Sequence, residues 1–258
     1  MQKCVISLLT NNSYIFVKQW FETWFDSPYY HLLYANRSET EAADFIKLMA
    51  KHLSIEQNAK VIDIACGKGR HTKTLAELGF DATGIDLSPN SINAAKCSER
   101  EHLHFEVWDM RQPFRLSYFD VAFNLFSSFG YFDDDAEDAK AIQAMYDCLK
   151  PGGLLVLDYI NTQFAVLNLK SKEIIPRNDI QFHIQKKVEN GFIKKRINFL
   201  AEGEEHEFEE QLKVINLTRF EQMIGSAGFE LVEMFGDYAL APFSPKSSPR
   251  LILIAIKR

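Results

Sequence analysis

The feature that most constrains this chain is an alternation of short β-type runs with helical patterns, which begins at about residue 60. The β-type runs read KVIDIA, FDATGID, LHFEVWD, FDVAFNLF and LLVLDYI, in that order. Because they are mostly apolar, we expect strands of a parallel sheet that helices cover on both faces. Two further runs, ELVEMFGDY and RLILIAIKR, predict two more strands near the end of the chain. The sequence therefore predicts an α/β fold with a mostly parallel sheet.

A different pattern interrupts this alternation over residues 161–216. Three β-type runs with alternating charges, about Ile180–Val188, Phe192–Leu200 and His206–Ile215, predict an antiparallel meander. The pair Asn190-Gly191 between the first two runs is a strong hairpin signal. We therefore expect a small antiparallel β insertion that divides the α/β core into residues 60–160 and 217–258.

The residues before position 60 predict an N-terminal helical unit, residues 1–59. Within it, residues 17–34 and 38–53 have helical spacing. The aromatic residues of the stretch QWFETWF are expected to pack this unit on the core. Tyr29, Tyr30 and His31 follow a proline, and we expect a loop there, the kind of segment that often carries function.

Capping residues predict where several helices begin and end. Ser88, followed by a proline, predicts the start of one helix. Asp133–Asp135 predicts the start of another, because acids are favoured in a first helical turn. A Pro-Gly-Gly run should end that second helix before the fifth strand. Thr218 and Glu221 have the spacing of a capping box and should begin the helix that follows the insertion.

Composition narrows the functional classes. The formal net charge of −6 argues against nucleic acid as a partner, because proteins that track a phosphate backbone usually carry a basic surplus. No apolar run approaches the roughly 20 residues that span a bilayer, so we expect no membrane association. The four cysteines have neither metal-clip nor disulfide-framework spacing. They predict a reducing, cytoplasmic location, and the N-terminus lacks the apolar core of a signal peptide.

The loop after the first β-type run, VIDIACGKGRHT, is the most informative short stretch. Gly67 and Gly69 in this loop would let the backbone approach a ligand closely. Three acids, Asp63, Asp86 and Asp109, fall where successive strands should end. Because ligands bind beyond the carboxyl ends of the strands in an open parallel sheet, these acids should share one cleft.

The same acids indicate which ligand the cleft would hold. A dinucleotide fingerprint, G-x-G-x-x-G, would need a glycine where Thr72 stands, and a carboxylate at Asp63 does not suit a diphosphate. Asp63 suits an ammonium group, Asp86 can accept from both ribose hydroxyls, and Asp109 can accept from the exocyclic amine of adenine. A ligand with an amino-acid ammonium, a ribose and an adenine but no phosphate is S-adenosylmethionine.

With these residues in view, the chain resembles the class I S-adenosylmethionine-dependent methyltransferases. The matching stretches are VIDIACGKGRHTKTLAELG, GIDLSPNSI, FEVWDM, FDVAFNLFSSFGYF and LKPGGLLVLDYIN, in family order over residues 60–161. The resemblance implies a Rossmann-like, seven-stranded, mostly parallel sheet with helices on both faces and a reversed β-hairpin at its edge. It also implies that residues 1–59 form a lid, as in small-molecule members, and that the insertion helps to cover the substrate pocket.

The resemblance assigns residues to the cofactor by position. Asn124, Leu125 and Phe126 would lie near the sulfonium, while Tyr34 and Arg37 would reach the methionine carboxylate. The cofactor-binding residues that it implies are Tyr34, Arg37, Asp63, Ala65, Cys66, Gly67, Gly69, His71, Asp86, Leu87, Ser88, Asp109, Met110, Asn124, Leu125 and Phe126. No metal is implied.

The acceptor is expected to be a small molecule that receives the methyl group on nitrogen or oxygen by in-line displacement. A hydroxyl acceptor would need a base, for which Tyr30, His31 and His183 are candidates. The run NLFS lacks the prolines typical of nucleobase N-methyltransferases. Two alternatives stay open. One is an RNA or protein methyltransferase, which the basic hairpin KKVENGFIKKR favours. The other is a non-catalytic module that binds the cofactor. A dehydrogenase is the weakest rival.

Overall fold

The computed structural model describes residues 19–35 and 39–258, which include two β-sheets and the helices around them. The strands in chain order are β1 (Lys60–Ile64), β2 (Asp81–Asp86), β3 (Leu103–Val107), β4 (Phe119–Asn124), β5 (Leu149–Ile160), β6 (Lys172–Arg177), β7 (Ile180–Glu189), β8 (Phe192–Ala201), β9 (Glu204–Lys213), β10 (Phe229–Phe235) and β11 (Arg250–Lys257). The helices are α1 (Trp20–Trp24), α2 (Pro28–Leu33), α3 (Glu39–His52), α4 (Arg70–Glu77), α5 (Pro89–Lys96), α6 (Asp135–Cys148), α7 (Thr162–Leu167) and α8 (Leu217–Ser226).

The larger sheet confirms the predicted seven-stranded, Rossmann-like architecture. Its order is β10-β11-β5-β4-β1-β2-β3, in which β1 to β5 run parallel and β11 pairs antiparallel with both β5 and β10. The chain leaves β1 toward β2 on one side and returns to β4 on the other, so β1 and β4 flank the switch point at which open α/β sheets bind ligands. Val61, Ile62, Asp63 and Ile64 are all buried, as a central strand requires.

Two predicted caps are confirmed and one is wrong. The Ser88 side chain accepts from the backbone N–H of Ser91 at 3.0 Å at the start of α5. Asp134 caps α6, because its side chain accepts from the N–H of Ala136. Thr218, however, does not cap α8: the N-cap is Asn216, whose side chain accepts from the N–H of Arg219 at 2.9 Å. Asparagine is as good a cap as threonine, and it stands where the chain enters the helix.

The N-terminal region differs from prediction because one expected helix is two short ones. The helices α1 and α2 are separated at Asp26, and Ser27 caps α2 by accepting from the N–H of Tyr29 at 3.2 Å. Pro28 stands in the first turn of α2, where proline is favoured. The expectation of a loop at Tyr29–His31 is therefore wrong, because a proline after a capping serine begins a helix.

The Pro-Gly-Gly run was predicted to separate α6 from β5. It lies instead inside the strand. The helix ends at Cys148 and the strand begins at Leu149. The pairing with β4 steps from Leu149 opposite Phe119 to Leu154 opposite Val121, so β5 bulges at this run. A Cβ on Gly153 would lie 2.9 Å from the carbonyl oxygen of Lys150, which explains a glycine in the bulge.

The insertion is a four-stranded antiparallel sheet, β6-β7-β8-β9, rather than the predicted three-stranded meander. The Asn190-Gly191 turn between β7 and β8 has positive φ at both residues, as a tight hairpin needs. The missed strand, β6, contains Pro176 and lies at the edge of this sheet, the place that tolerates proline. Trp24 and Leu33 of the N-terminal helices pack on the apolar face of the inserted sheet. The N-terminal helices and the inserted sheet therefore share one hydrophobic core.

None of the helices in the described part of the chain is long and apolar enough to cross a membrane.

Candidate functional site

The loop between β1 and α4 is held open by its backbone conformation. Ala65, Gly67 and Gly69 all have positive φ, between 56° and 75°. A Cβ on Gly69 would lie 2.3 Å from the ring of Phe105, so only glycine packs there. A Cβ on Gly67 would meet nothing within 4 Å. The space beyond Gly67 is therefore available to a ligand that approaches the backbone.

Asp63 lies beneath this loop. Its side chain is buried, and its Oδ2 accepts from the hydroxyl of Thr72 at 2.7 Å. Burial raises the pKa of Asp63 to about 6, although the Thr72 hydrogen bond and nearby Arg70 oppose the shift. Thr72, which breaks the dinucleotide fingerprint, thus holds the carboxylate in place beneath the glycine loop.

Asp86 ends β2 and borders a cavity. Its Oδ2 accepts from the N–H of Gly67 and its Oδ1 from the N–H of Ser88, both at 2.8 Å. Burial raises the pKa of Asp86 despite these two hydrogen bonds. Each carboxylate oxygen can accept further hydrogen bonds, so the side chain both ties two loops together and can receive a ligand's hydroxyl groups.

Asp109 borders the same cavity but is anchored differently. The Nε of Arg111 donates to both carboxylate oxygens at 3.0 Å, and Arg111 also contacts Glu137 at 2.8 Å. Burial alone would raise the pKa of Asp109, but the hydrogen bonds and the charge of Arg111 outweigh burial and lower it. Asp109 is therefore a fixed, ionised acceptor near neutral pH.

These two acids line a small cavity of about 70 Å³ at the carboxyl edge of the sheet. Six of the residues predicted to bind the cofactor are among its lining: Ala65, Asp86, Leu87, Ser88, Asp109 and Met110. Phe21 and Glu22 of α1, together with Phe25, cover it from the N-terminal side. The ring of Trp108 contributes apolar surface to the cavity lining. Sequence reasoning assigned most of these N-terminal aromatics to packing and did not predict that Phe21 and Phe25 line this cavity.

A larger cavity, of about 690 Å³, lies between the N-terminal helices, the inserted sheet and the loop after β4. Tyr30, Tyr34 and Phe126 are the predicted site residues in its lining. The hydroxyl of Tyr34 donates to the carboxylate of Glu210 at 2.7 Å and accepts from Lys195, so it is tied to the inserted sheet. Phe25 and Tyr131 line both cavities, which therefore meet at a shared wall.

Several predicted residues do not line either cavity. Within the described residues these are His31, Asp63, Cys66, Gly67, Gly69, His71, Asn124 and Leu125, and Arg37 lies outside the described residues. Cys66 is a buried residue of the loop between β1 and α4. Asn124 donates to the carbonyl oxygens of Ile64 and Ser128, at 3.0 and 3.1 Å, and so joins the ends of β1 and β4.

The two candidate histidine bases differ in their surroundings. Burial, reinforced by the charge of Lys68 and opposed by Asp26, lowers the pKa of His31 to about 4, so its ring is neutral near pH 7. His183 is exposed on β7, between the buried Phe182 and Ile184. Side chains alternate along a strand, so His183 points away from the cavity, and this orientation does not favour it as a base.

Sequence reasoning missed a network beneath the loop after β4. The fully buried Asp158 accepts from the backbone N–H of Phe126 at 2.7 Å, from Arg250 at 2.8 Å and from the hydroxyl of Tyr238 at 3.1 Å. Phe126 and Ser127 have positive φ, and this network holds them. Asp158 stands near the end of the run LLVLDYI, so the strand-end pattern that singled out the other acids also points to it.

Another missed residue is Asp26, which joins the N-terminal helices to the start of α5, next to the end of β2. Its carboxylate accepts from the hydroxyl of Ser88 and from the backbone and side chain of Asn90, at 3.1 and 2.8 Å. These groups form the first turn of α5, where a negative charge is favoured. A sequence signal for this pair is absent, because 62 residues separate Asp26 from Ser88.

The residues present fit S-adenosylmethionine. The positive φ at Gly67 and the open space beyond it suit a backbone approach by the amino-acid part. Asp86 offers acceptors for a ribose, and Leu87 with Met110 offers apolar surface for an adenine. Among the residues that the structure describes, none in the small cavity's lining is basic, which also suits a ligand without phosphate.

Comparison with known proteins supports this assignment. A family described as "Methyltransferase domain" matches residues 55–211. A glycine/sarcosine N-methyltransferase of Parasynechococcus marenigrum is 27% identical over 78% of this chain and 72% of its own length. A Streptomyces venezuelae dTDP-3-amino-3,4,6-trideoxy-alpha-D-glucopyranose N,N-dimethyltransferase is 31% identical over 50% of this chain and 54% of its own.

Solved structures of methyltransferases share the fold of this chain. The crystal structure of an S-adenosylmethionine-dependent methyltransferase from Clostridium acetobutylicum superposes with a TM-score of 0.75 at 17% identity, covering 88% of this chain and 95% of that one. The family match spans more than half of the chain, and the sheet order is the one that the resemblance implies. The chain therefore belongs to the methyltransferase-domain family and is a class I S-adenosylmethionine-dependent methyltransferase.

Proposed function

We propose that this enzyme transfers a methyl group from S-adenosylmethionine to a nitrogen or oxygen atom of a small molecule bound in the larger cavity. The observation that carries the proposal is the shared wall of Phe25 and Tyr131, which brings the small cavity and the larger cavity into contact. A methyl donor in one and an acceptor in the other would meet there.

In this proposal the small cavity holds the adenosine part of the cofactor. Asp86 accepts from the ribose hydroxyls, Leu87 and Met110 flank the adenine, and Asp109 accepts from its amino group. The glycine loop holds the methionine part above the buried Asp63. Tyr34 belongs to the acceptor cavity rather than to the methionine carboxylate, because Glu210 and Lys195 hold its hydroxyl.

The protein's main contribution to the reaction is alignment. S-adenosylmethionine supplies a methyl group that its sulfonium already activates. The chain must bring nucleophile, methyl carbon and sulfur into line and exclude water. The strained loop after β4, held by Asp158, sets the position of Phe126. The aromatic ring of Tyr131 at the cavity wall can stabilise a cationic centre.

The need for a base depends on the acceptor. An amine needs only to arrive neutral, whereas a hydroxyl must lose its proton. Tyr30 lines the larger cavity, and its ring packs on His31 with centroids 5.4 Å apart. We propose that Tyr30 contacts the acceptor directly and that His31, neutral because of its lowered pKa, lies behind it.

The relatives support a small acceptor, since the glycine/sarcosine enzyme and the amino-sugar enzyme are both named for small molecules that they methylate on nitrogen. A cavity of about 690 Å³ has the size of a small-molecule site. We propose a cytoplasmic location, supported by the free thiols of the described cysteines, Cys66, Cys97 and Cys148.

The test is a labelling experiment. The purified protein is incubated with S-adenosylmethionine carrying an isotopic methyl group and with a fractionated metabolite extract, and mass spectrometry identifies labelled products. We expect label in one or a few small molecules, with formation of S-adenosylhomocysteine. Label only in protein or RNA, or cofactor binding with no labelled product, would contradict the proposal.

A further inference from the structure

The larger cavity has an uneven distribution of charge. Four basic residues line it: Lys170, Lys186, Lys195 and Arg250. Of the described residues in that lining, Glu210 is the one acid. Such a surplus is unexpected in an enzyme whose net charge is −6. The basic residues therefore mark a local property of this cavity rather than a property of the whole chain.

Two of these lysines face each other across the inserted sheet. Lys186 on β7 is directly opposite Lys195 on β8. They continue the inner face on which Ile184 and Ile197 are buried, so both side chains point toward the cavity. Like charges directly opposite each other on a sheet are destabilising. A negatively charged group between them would relieve that repulsion.

Two of the basic residues form ion pairs with acids that are not part of the cavity lining. The ammonium of Lys186 contacts Glu173 at 2.6 Å, and the guanidinium of Arg250 contacts Asp158 at 2.7 Å. Neither acid is part of the cavity lining, whereas both cations are. An ammonium has three N–H donors and a guanidinium five, so each cation has donors beyond those directed at its partner.

Lys195 is the most enclosed of the three lysines in the cavity lining, with 12% of its side chain exposed. It donates to the Tyr34 hydroxyl and lies 3.4 Å from the Glu210 carboxylate. Burial lowers the pKa of Lys195, the charge of Lys186 adds to that effect, and Glu210 opposes it. Lys186 and Lys195 thus place two neighbouring ammonium groups at the cavity wall, where an anionic ligand would reduce their mutual repulsion.

We propose that the acceptor carries an oxyanion group, a phosphoryl or a carboxylate, which binds between Lys186 and Lys195 with Lys170 at the rim. The atom that receives the methyl group then lies at the other wall, near Phe126 and Tyr131. This inference rests on the proposed function, because it describes the part of the acceptor that does not react.

The inserted sheet offers a matched control. Lys187 is adjacent to Lys186 and is directly opposite Lys194, so it forms the same kind of pair on the other face of the sheet. Lys187 also has one acidic partner, Glu189, at 2.9 Å. The variants Lys186→Gln and Lys187→Gln therefore remove the same charge from neighbouring positions, and only the first changes the cavity.

The experiment is calorimetric titration of the protein, saturated with S-adenosylhomocysteine, with pyrophosphate in one arm and malonate in the other. We expect the wild type to bind at least one of the two probes. Lys186→Gln should weaken that binding about tenfold, the value of one hydrogen bond to a charged group, and Lys187→Gln should leave it unchanged. Preference for pyrophosphate assigns the oxyanion to a phosphoryl group, and preference for malonate assigns it to a carboxylate.

Two outcomes overturn the inference: neither probe binds, or both variants weaken binding equally, which a nonspecific effect of charge would do. Titration with S-adenosylhomocysteine and thermal unfolding are measured for each variant. Unchanged values show that the cofactor site and the fold are intact. Failure of the wild type to bind S-adenosylhomocysteine would instead contradict the proposed function, so the two failures are distinguishable.

Discussion

At the scale of single residues, the acids at the strand ends have different roles although they share one sequence pattern. Asp86 and Asp109 border the small cavity, Asp63 lies beneath the glycine loop and Asp158 beneath the loop after β4. The strand-end position was predictable for each, because it follows from the β-type runs. Which carboxylate faces a ligand was not predictable, because that depends on burial by segments distant in sequence, such as the helix that covers Asp86.

The burial of the Asp63 carboxyl can be tested in the protein without a ligand. Its pKa is about 6 in the folded state and about 3.8 in an unfolded chain, so ionisation opposes folding. That penalty is complete above about pH 6 and disappears as the pH falls below about 4. We expect Asp63→Asn to raise the free energy of unfolding by about 3 kcal/mol at pH 8, an amount set by the shift of about two pKa units.

Urea unfolding of the two proteins between pH 4 and pH 8 measures this effect. Other titrating groups, such as Asp138, are common to both proteins and cancel in the difference. The advantage of Asp63→Asn should narrow steadily as the pH is lowered from 6 to 4. A difference that is constant with pH would mean that Asp63 is not the buried carboxyl described above.

At the scale of secondary-structure elements, the α/β core was more predictable than the elements that cover it. The strands of the core are apolar runs, and burial on both faces makes such runs distinct. The N-terminal helices were only partly predicted, because five-residue α1 and six-residue α2 are too short to show a clear helical period. The edge strand β6 was missed since its proline hides it, although that proline is harmless at an edge.

The covering helices should control how fast the cofactor leaves. Asp26 connects them to the first turn of α5 through three hydrogen bonds. Replacing Asp26 with alanine should therefore free α1 from the small cavity and raise the dissociation rate of S-adenosylhomocysteine about tenfold. Stopped-flow fluorescence measures this rate, because Trp108 lines the cavity.

The matched control is Asp44→Ala, which removes the same charge from an exposed position on α3. Its dissociation rate should equal that of the wild type. If Asp26→Ala also leaves the rate unchanged, the N-terminal helices do not act as a lid on the cofactor.

At the scale of the whole molecule, the site is assembled from parts that the sequence presents separately. The strand ends and glycine loop form the small cavity, and they lie within the stretches whose order and spacing resemble the family. The larger cavity combines the N-terminal helices, the inserted sheet and the loop after β4. Its position was expected from the resemblance, but its basic wall was not, because the pairing of Lys186 with Lys195 depends on strand register.

We expect the carboxyl edge of the larger sheet to bind S-adenosylmethionine through Asp86. Calorimetric titration with S-adenosylhomocysteine tests it most directly, using Asp86→Ala and, as a control, Asp81→Ala at the opposite end of the same strand. We predict one site per chain, about 100-fold weaker in Asp86→Ala, since two hydrogen bonds to a charged acceptor are lost, and unchanged in Asp81→Ala. Absence of binding to the wild type, or an equal loss in both variants, would contradict the account.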